Sequence, residues 1–262
     1  MGGRETVSTP IVECVPNFSE GRRPEIVRQI IEAITGAAPV TLLDHSSDQD
    51  HNRSVITFVG SPEAVEAAAF AGIKAAASLI DLNQHQGAHP RIGATDVVPF
   101  IPIRDVKMED CVALARRLGA RVGNTLNIPV YLYESAATRP DRENLENIRR
   151  GEYEGLREAI RTDPNRTPDY GPAELGSAGA TVIGARPPLI AFNAYLTTSN
   201  VEVARQIAKA VRHSSGGLRF VKALGLLVDG KAQVSMNLTN YEKTPIHRVA
   251  EMIRSEAARY GV

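Results

Sequence analysis

The same succession of elements occurs twice along this 262-residue chain, and few features restrict a fold as tightly as an internal repeat. β-Branched and apolar runs at residues 11–15, 40–43, 54–59 and 97–103 read as strands. Between them, Ile26, Val27, Ile30, Ile31 and Ile34 make a helical stripe that starts at Pro24 and stops at Gly36. Val65, Ala69, Ile73 and Ala76 make a second stripe. It opens at Ser61, which supplies an N-cap oxygen ahead of Pro62 and Glu63. The first half is therefore β-α-β-β-α-β, extended by a helix over 108–122 and a strand over 129–133. In the second half, strand 189–196, helix 201–211, strands 218–228 and 232–238 and helix 246–260 give β-α-β-β-α. Asp229-Gly230 marks a two-residue hairpin turn there.

A split βαβ unit closes with one more strand. The expected fold is therefore α/β (α+β), built of two similar ferredoxin-like βαββα(β) subdomains, the second lacking its last strand. An unpaired sheet edge is a liability, so the edge left in the second subdomain should be covered by a second copy or be poorly ordered. Residues 134–180 separate the halves and are rich in Arg, Pro, Gly and Asp. Short helices are expected around 142–150 and 153–160, whereas 162–179 has no periodicity, and segments of that kind usually carry function. The subdomains are placed at residues 1–180 and 181–262.

Composition narrows the function classes. Thirty basic residues balance thirty acidic ones, which disfavours a protein that lives on nucleic-acid phosphates or anionic membranes. Two cysteines, Cys14 and Cys111, cannot form a disulfide framework or a four-cysteine zinc site. No run of 18 apolar residues is present, and residues 1–10 lack an apolar signal core. The chain reads as a soluble cytoplasmic protein. Arginine supplies 24 of the 30 basic residues, a bias that first suggests the genome and second a taste for carboxylate ligands.

Four of the six histidines occupy two loops. His45, Asp48, Asp50 and His51 lie in a polar segment that could gather a metal ion, although a solvated turn is the simpler reading. The second loop carries His85 and His89 at helical spacing, but Gly87 and Pro90 argue against a helix there. His89 remains as a general base or acid, or as a structural histidine, with Arg91 and Asp96 close by to hold substrate or orient the ring.

These loops resemble the glutamate formiminotransferase family, which also forms the first domain of formiminotransferase-cyclodeaminase. The resemblance is carried by residues 13–21 (ECVPNFSEG), by Asn52-Arg53-Ser54-Val55 through Gly60, and by His89-Pro90-Arg91-Ile92-Gly93-Ala94 through Asp96 to Pro102. Residues 129–133, 151–154, 179–182 and 184–186 continue it, in order, to the end of the chain. It implies transfer of a formimidoyl group between 5-formimidoyltetrahydrofolate and L-glutamate in histidine degradation, with tetrahydrofolate as co-substrate and no metal. It further implies sheets that face inward with helices outside, and a homodimer joined through the first subdomain. The family's catalytic histidine falls on His89. Its folate-binding loop falls on Gly171, Pro172, Ala173, Glu174, Leu175, Gly176, Ser177, Ala178 and Gly179, one residue shorter here and without the aromatic of some relatives. Asn17, Arg53, Arg91, Asp96 and Arg186 are candidates for binding the substrates. Ser46 stands where some relatives carry an acid, and relatives continue by a strand and a helix beyond the position of Val262. A folate-binding or regulatory protein with little turnover is the alternative.

Overall fold

A computed structural model describes residues 9–262; the segment 1–8, most of the stretch read as lacking a signal core, lies outside them. The chain divides into two compact units, one ending at Arg186 and the other running from Pro187 to Val262.

The first unit holds a seven-stranded sheet. Its opening strand is β1 (Ile11–Cys14), continued after a break at Val15-Pro16 by β2 (Asn17–Phe18). There follow helix α1 (Pro24–Ala37), the hairpin β3 (Thr41–Asp48) and β4 (Arg53–Gly60), helix α2 (Pro62–Leu79) and β5 (Thr95–Arg104). β1 and β2 lie between β4 and β5, antiparallel to both, and β3 is the edge beyond β4. This is the split βαβ arrangement that the repeat predicts. Helix α3 (Met108–Leu126) then returns the chain to β6 (Val130–Glu134). After a long excursion, β7 (Thr181–Ala185) enters between β5 and β6, parallel to both. β7 therefore belongs to the first sheet, and the division between the units falls after Arg186 instead of at residue 180.

Apolar residues decide which face each helix covers. Val12, Cys14, Phe58, Val98 and Phe100 point from the sheet into a core shared with Ile30 and Ile34 of α1, Val65, Ala69 and Ile73 of α2, and Leu114, Leu118 and Val122 of α3. Both cysteines are buried thiols in that core, and burial pushes both up from the ordinary thiol range, Cys111 to about 11. On the other face a smaller cluster joins Val97, Tyr131, Tyr133 and Val182 to Leu156 and Ile160. Those last two belong to α5 (Glu152–Thr162), which follows the single turn α4 (Leu145–Ile148). The excursion between β6 and β7 thus covers one end of that face. It is held mainly by polar bonds: Arg142, 4% exposed, pairs with Asp169 at 2.7 Å, and Asp169 also accepts from the backbone N–H of Leu132.

The second unit is β8 (Ile190–Tyr195), α6 (Val201–Val211), β9 (Val221–Val228), β10 (Lys231–Leu238) and α7 (Ile246–Ala258). The strands order as β8-β10-β9, all antiparallel, the same plan carried by three strands among the described residues. Asp229 and Gly230 sit at φ 50° and 73°, as the two-residue turn requires. Ala204, Ile207 and Val211 of α6 and Val249 and Ile253 of α7 pack on Val221, Val234 and Met236.

Candidate active site

Arg53 is the first residue of β4, and the pleat that sends Ser54 and Ile56 into the interior turns Arg53 to the opposite face. The paired strand β2 presents Asn17 on the same side, and Arg53 donates its Nε to the Asn17 side-chain oxygen at 2.8 Å. Asn17 is itself held by its Nδ2, which donates to Val15 O at 3.0 Å. The terminal nitrogens of Arg53 make no hydrogen bond among the described residues, and burial together with nearby Arg149 works against its charge.

Three loops converge above this arginine. β3 runs on to Asp48, so most of the polar segment expected as a solvated turn is strand, and only residues 49–52 turn. Asn52 takes the left-handed conformation at φ 48° and is 8% exposed. Its side-chain oxygen accepts from Gly21 N at 2.9 Å, and its amide donates to Gln86 O at 2.9 Å. One carboxamide thereby ties the β3–β4 turn to the 19–22 loop and to the 85–89 loop. The approach is close enough that a Cβ on Gly87 would lie 2.4 Å from the carbonyl oxygen of His51. The third loop delivers His89.

His89 and His51 meet edge-on with ring centroids 6.2 Å apart. His51 is oriented by Asp48, whose carboxylate is 2.9 Å from Nδ1 and also accepts the His51 backbone N–H. Burial drives the His89 imidazole down to about 2, reinforced by the positive charges of Arg53 and Arg149. In the free protein His89 is therefore a neutral ring with a lone pair to offer. His85 sits behind it: Arg91 donates Nε to His85 Nδ1 at 3.1 Å, so Nε2 carries the proton and donates to Asn52 O at 3.0 Å.

Arg91, 6% exposed, spends all five N–H groups inside the protein. Besides His85 Nδ1 it bonds His85 O, the Glu152 carboxylate at 2.9 Å and both oxygens of Glu154 at 2.7 and 2.8 Å. It fixes the 85–91 loop against α5 and has no donor left for a ligand. Asp96, 2% exposed, accepts from Ile92 N at 2.9 Å and pairs with Arg149. Arg149 was not indicated by any sequence pattern. Its Nε is buried without a hydrogen-bond partner.

Phe18, Ser19, His51, Asn52, Arg53, His85, His89, Arg91 and Asp96 line one small cleft. The structure thus gathers His89, Arg53, Arg91 and Asp96, with Asn17 bracing Arg53 from beneath. Arg186 stands elsewhere, hydrogen-bonded to Tyr133 and near Glu13, and is not part of the cleft lining. The segment Gly171–Gly179 borders the His89 loop: Ser177 O accepts from Leu82 N at 2.8 Å, Ala178 O from Ala94 N at 2.8 Å, and Gly179 pairs with Gly93. Residues 171–174, 176 and 177 are exposed.

A neutral histidine thus shares one cleft with arginines on a sheet face, an arrangement that can accept and return a proton beside positive charge. The chain belongs to the formiminotransferase family: residues 11–186 match the formiminotransferase domain, N-terminal subdomain, and residues 191–262 the formiminotransferase domain. It is 56% identical over 256 residues to a glutamate formimidoyltransferase of Thermoplasma acidophilum, covering 96% of this chain and 84% of that protein. It is 46% identical to a glutamate formimidoyltransferase of Streptococcus pyogenes, covering 96% and 85%. The formimidoyltransferase-cyclodeaminase of Rattus norvegicus is 45% identical over 94% of this chain and 47% of that longer protein.

Proposed function

We propose that this chain is a glutamate formimidoyltransferase, moving a formimidoyl group between N5 of tetrahydrofolate and the amino group of L-glutamate. The observation that carries the reading is His89, held neutral in a cleft beside Arg53 within a family whose members at 46–56% identity bear that name.

The attacking amine of glutamate needs a free electron pair, and the ammonium form has none. His89 takes the amine's proton as the C–N bond to the formimidoyl carbon forms, and returns a proton to N5 of the folate as the old C–N bond breaks. Holding two substrates together in one cleft supplies part of the rate, on the order of 7 kcal/mol for well-oriented partners. Gly171–Gly179 is the folate-binding segment in this reading, supported by its backbone bonds to the loop that carries His89. Tetrahydrofolate is thus a co-substrate, and the proton transfers call for no metal ion.

Arg53 is the candidate for a substrate carboxylate, because its terminal nitrogens are unspent. Asn17, Arg91 and Asp96 act as positioning residues, for Arg53, for the 85–91 loop and for Arg149 respectively. Arg186 is left for a more distant part of the folate. The same reading takes the enzyme as a cytoplasmic homodimer. The edge strand β3, exposed along nearly its whole length with Leu43 uncovered, is the surface in the first unit suited to a partner.

Turnover of 5-formimidoyltetrahydrofolate with glutamate, compared between wild type and His89→Ala, tests the proposal. Transfer by the wild type that is lost in the variant while folate still binds supports it. Folate binding without transfer in the wild type selects the binding-protein alternative.

A further inference from the structure

Helix α5 touches both loops on which the proposed reaction depends. Its N-cap, Gly151, and its first residue, Glu152, take successive left-handed conformations at φ 85° and 55°. A non-glycine residue seldom holds that conformation unless its surroundings fix it. Glu152 is fixed by Arg91, which bonds its carboxylate and that of Glu154. Between the two acids lies Tyr153, 4% exposed, with its ring in the main core. Its backbone N–H donates to Arg91 O at 2.9 Å, in the loop that carries His89.

The hydroxyl of Tyr153 reaches the other loop. It donates to the Asn83 side-chain oxygen at 2.9 Å, with Gly176 O a second acceptor at 3.4 Å. Asn83 has its oxygen turned to the phenol because its Nδ2 and its backbone N–H both bond Asp81. The turn that carries Asn83 is in turn bonded to the 171–179 segment, Leu82 N donating to Ser177 O at 2.8 Å. Burial pushes the Tyr153 phenol up from its ordinary value, so the hydroxyl keeps its proton and stays a donor. One residue therefore bonds the His89 loop through its backbone and the 171–179 segment, with its neighbouring turn, through its side chain.

We propose that Tyr153 is a positioning residue that couples the folate segment to the loop carrying His89, so that seating the folate co-substrate also sets the place of the base. The inference rests on the transferase reading, in which residues 171–179 hold the folate. A ligand that orders the exposed residues of that segment moves Gly176, and Gly176 meets the Tyr153 hydroxyl. The displacement passes to Arg91 through the backbone bond and through the carboxylates on either side of Tyr153. Other contacts do less of this. Ala178 and Gly179 bond Ala94 and Gly93, holding the base of the segment against the start of β5. Arg161, near the far end of α5, pairs with Glu174, but both side chains are open to water and the pair contributes little.

Tyr153→Phe removes the hydroxyl and keeps the ring and the backbone N–H, so the core and the bond to Arg91 O survive it. Loss of one hydrogen bond of this kind should raise KM for the folate substrate about three- to tenfold, with KM for glutamate changed less than about twofold. Asn83→Ala should reproduce the effect and add little to it in the double variant. Arg161→Gln should change KM for folate less than about twofold. A second readout is independent of turnover. Tetrahydrofolate, which carries no formimidoyl group, should shift the His89 ring resonances of the wild type, and at saturation should shift them less in Tyr153→Phe. A Tyr153 with only a structural part would lower thermal stability and leave both KM values and that shift as in the wild type, which would overturn the coupling. Equal rises in the two KM values, or no binding of tetrahydrofolate to the wild type, would also overturn it. No transfer by the wild type, with the shift present and reduced in Tyr153→Phe, would sink the transferase reading and leave the coupling standing.

Discussion

The two units share a βαββα plan and differ in what their equivalent hairpins do. In the second unit, β9 and β10 are joined by Asp229-Gly230 alone, a minimal turn with nothing around Gly230 for a Cβ to meet. In the first, the end of β3 and the turn into β4 carry Asp48, His51 and Asn52, which bond to one another's loop or to the neighbouring loops. Buried charge divides the same way. Glu20, Arg91, Asp96 and Arg142 are all buried in the first unit, whereas the buried polar residues of the second are Gln233 and Thr244, both uncharged. A common scaffold leaves the loop ends free to differ, and in the first unit the desolvated charge collects around the His89 cleft and the excursion beside it.

The largest expected effect that separates the units is on catalysis. His89→Ala should lower kcat on the order of 10²- to 10⁴-fold, the usual contribution of a general acid–base residue. His247→Ala, on helix α7, should leave kcat within twofold in the same assay. Equal losses from both would end the distinction.

Glycines give the next contrast. Gly87→Ala places a methyl group against backbone that cannot yield, so the loops must part. Activity should fall at least tenfold, with a stability loss of about 1–3 kcal/mol in urea unfolding. Gly230→Ala strains one left-handed residue in open space and should cost about 1 kcal/mol with activity unchanged.

Acid should also find the first unit first. His89 is held far below the ordinary imidazole value by burial and then by the arginines. An unfolded chain therefore takes up a proton near pH 6.5 that the folded chain refuses, and stability falls as pH drops from there towards 2. Burial would raise the Glu20 carboxyl, but bonds from Arg23 and the backbone N–H groups of Arg22 and Arg23 outweigh it and hold it low. Its contribution, present above the unfolded carboxylate value, is lost as pH falls through the folded one. His89→Asn removes the first of these liabilities. It should flatten the acid side of the stability–pH curve, read by thermal melting between pH 4 and 7, even as it abolishes transfer. An unchanged acid limb would show that the imidazole is not desolvated as described.

The smallest effect is expected at the Asp48–His51 pair. It is partly open to water and touches His89 only edge-on. Asp48→Asn should slow transfer a few-fold, and an effect as large as that of His89→Ala would make the pair part of the proton path.

Much of the scaffold was legible because apolar periodicity is local: the α1 stripe and the β8–β10 meander follow from residues a few positions apart. The stretch between β6 and β7 was opaque for the opposite reason. Arg142, Asp169 and the Tyr131 hydroxyl, which donates to Arg166 O at 2.5 Å, hold it by single polar bonds across 25 to 37 positions. The strand β7 is missing from the sequence reading, which sets the boundary at residue 180 and so leaves 181–185 on the other side; a five-residue apolar run does not say which sheet it will join. At the site, His89 stood out as a loop histidine between Gly87 and Pro90, and Arg53 through the family motif. Arg149 had no such signal. Its partner Asp96 is 53 positions away, and it is one of seven arginines in a segment, 134–180, that also carries ten acidic residues. His51 was visible only as one more polar residue, since nothing local reveals that its ring meets His89.

Asn52 has one further consequence. Because a single side chain joins three loops, the cleft is expected to open as a small cooperative patch before the sheet beneath it does. Heating should therefore silence the enzyme several degrees before circular dichroism registers loss of the fold. Cooling from that intermediate range should restore full activity, since only the loops have to find each other again.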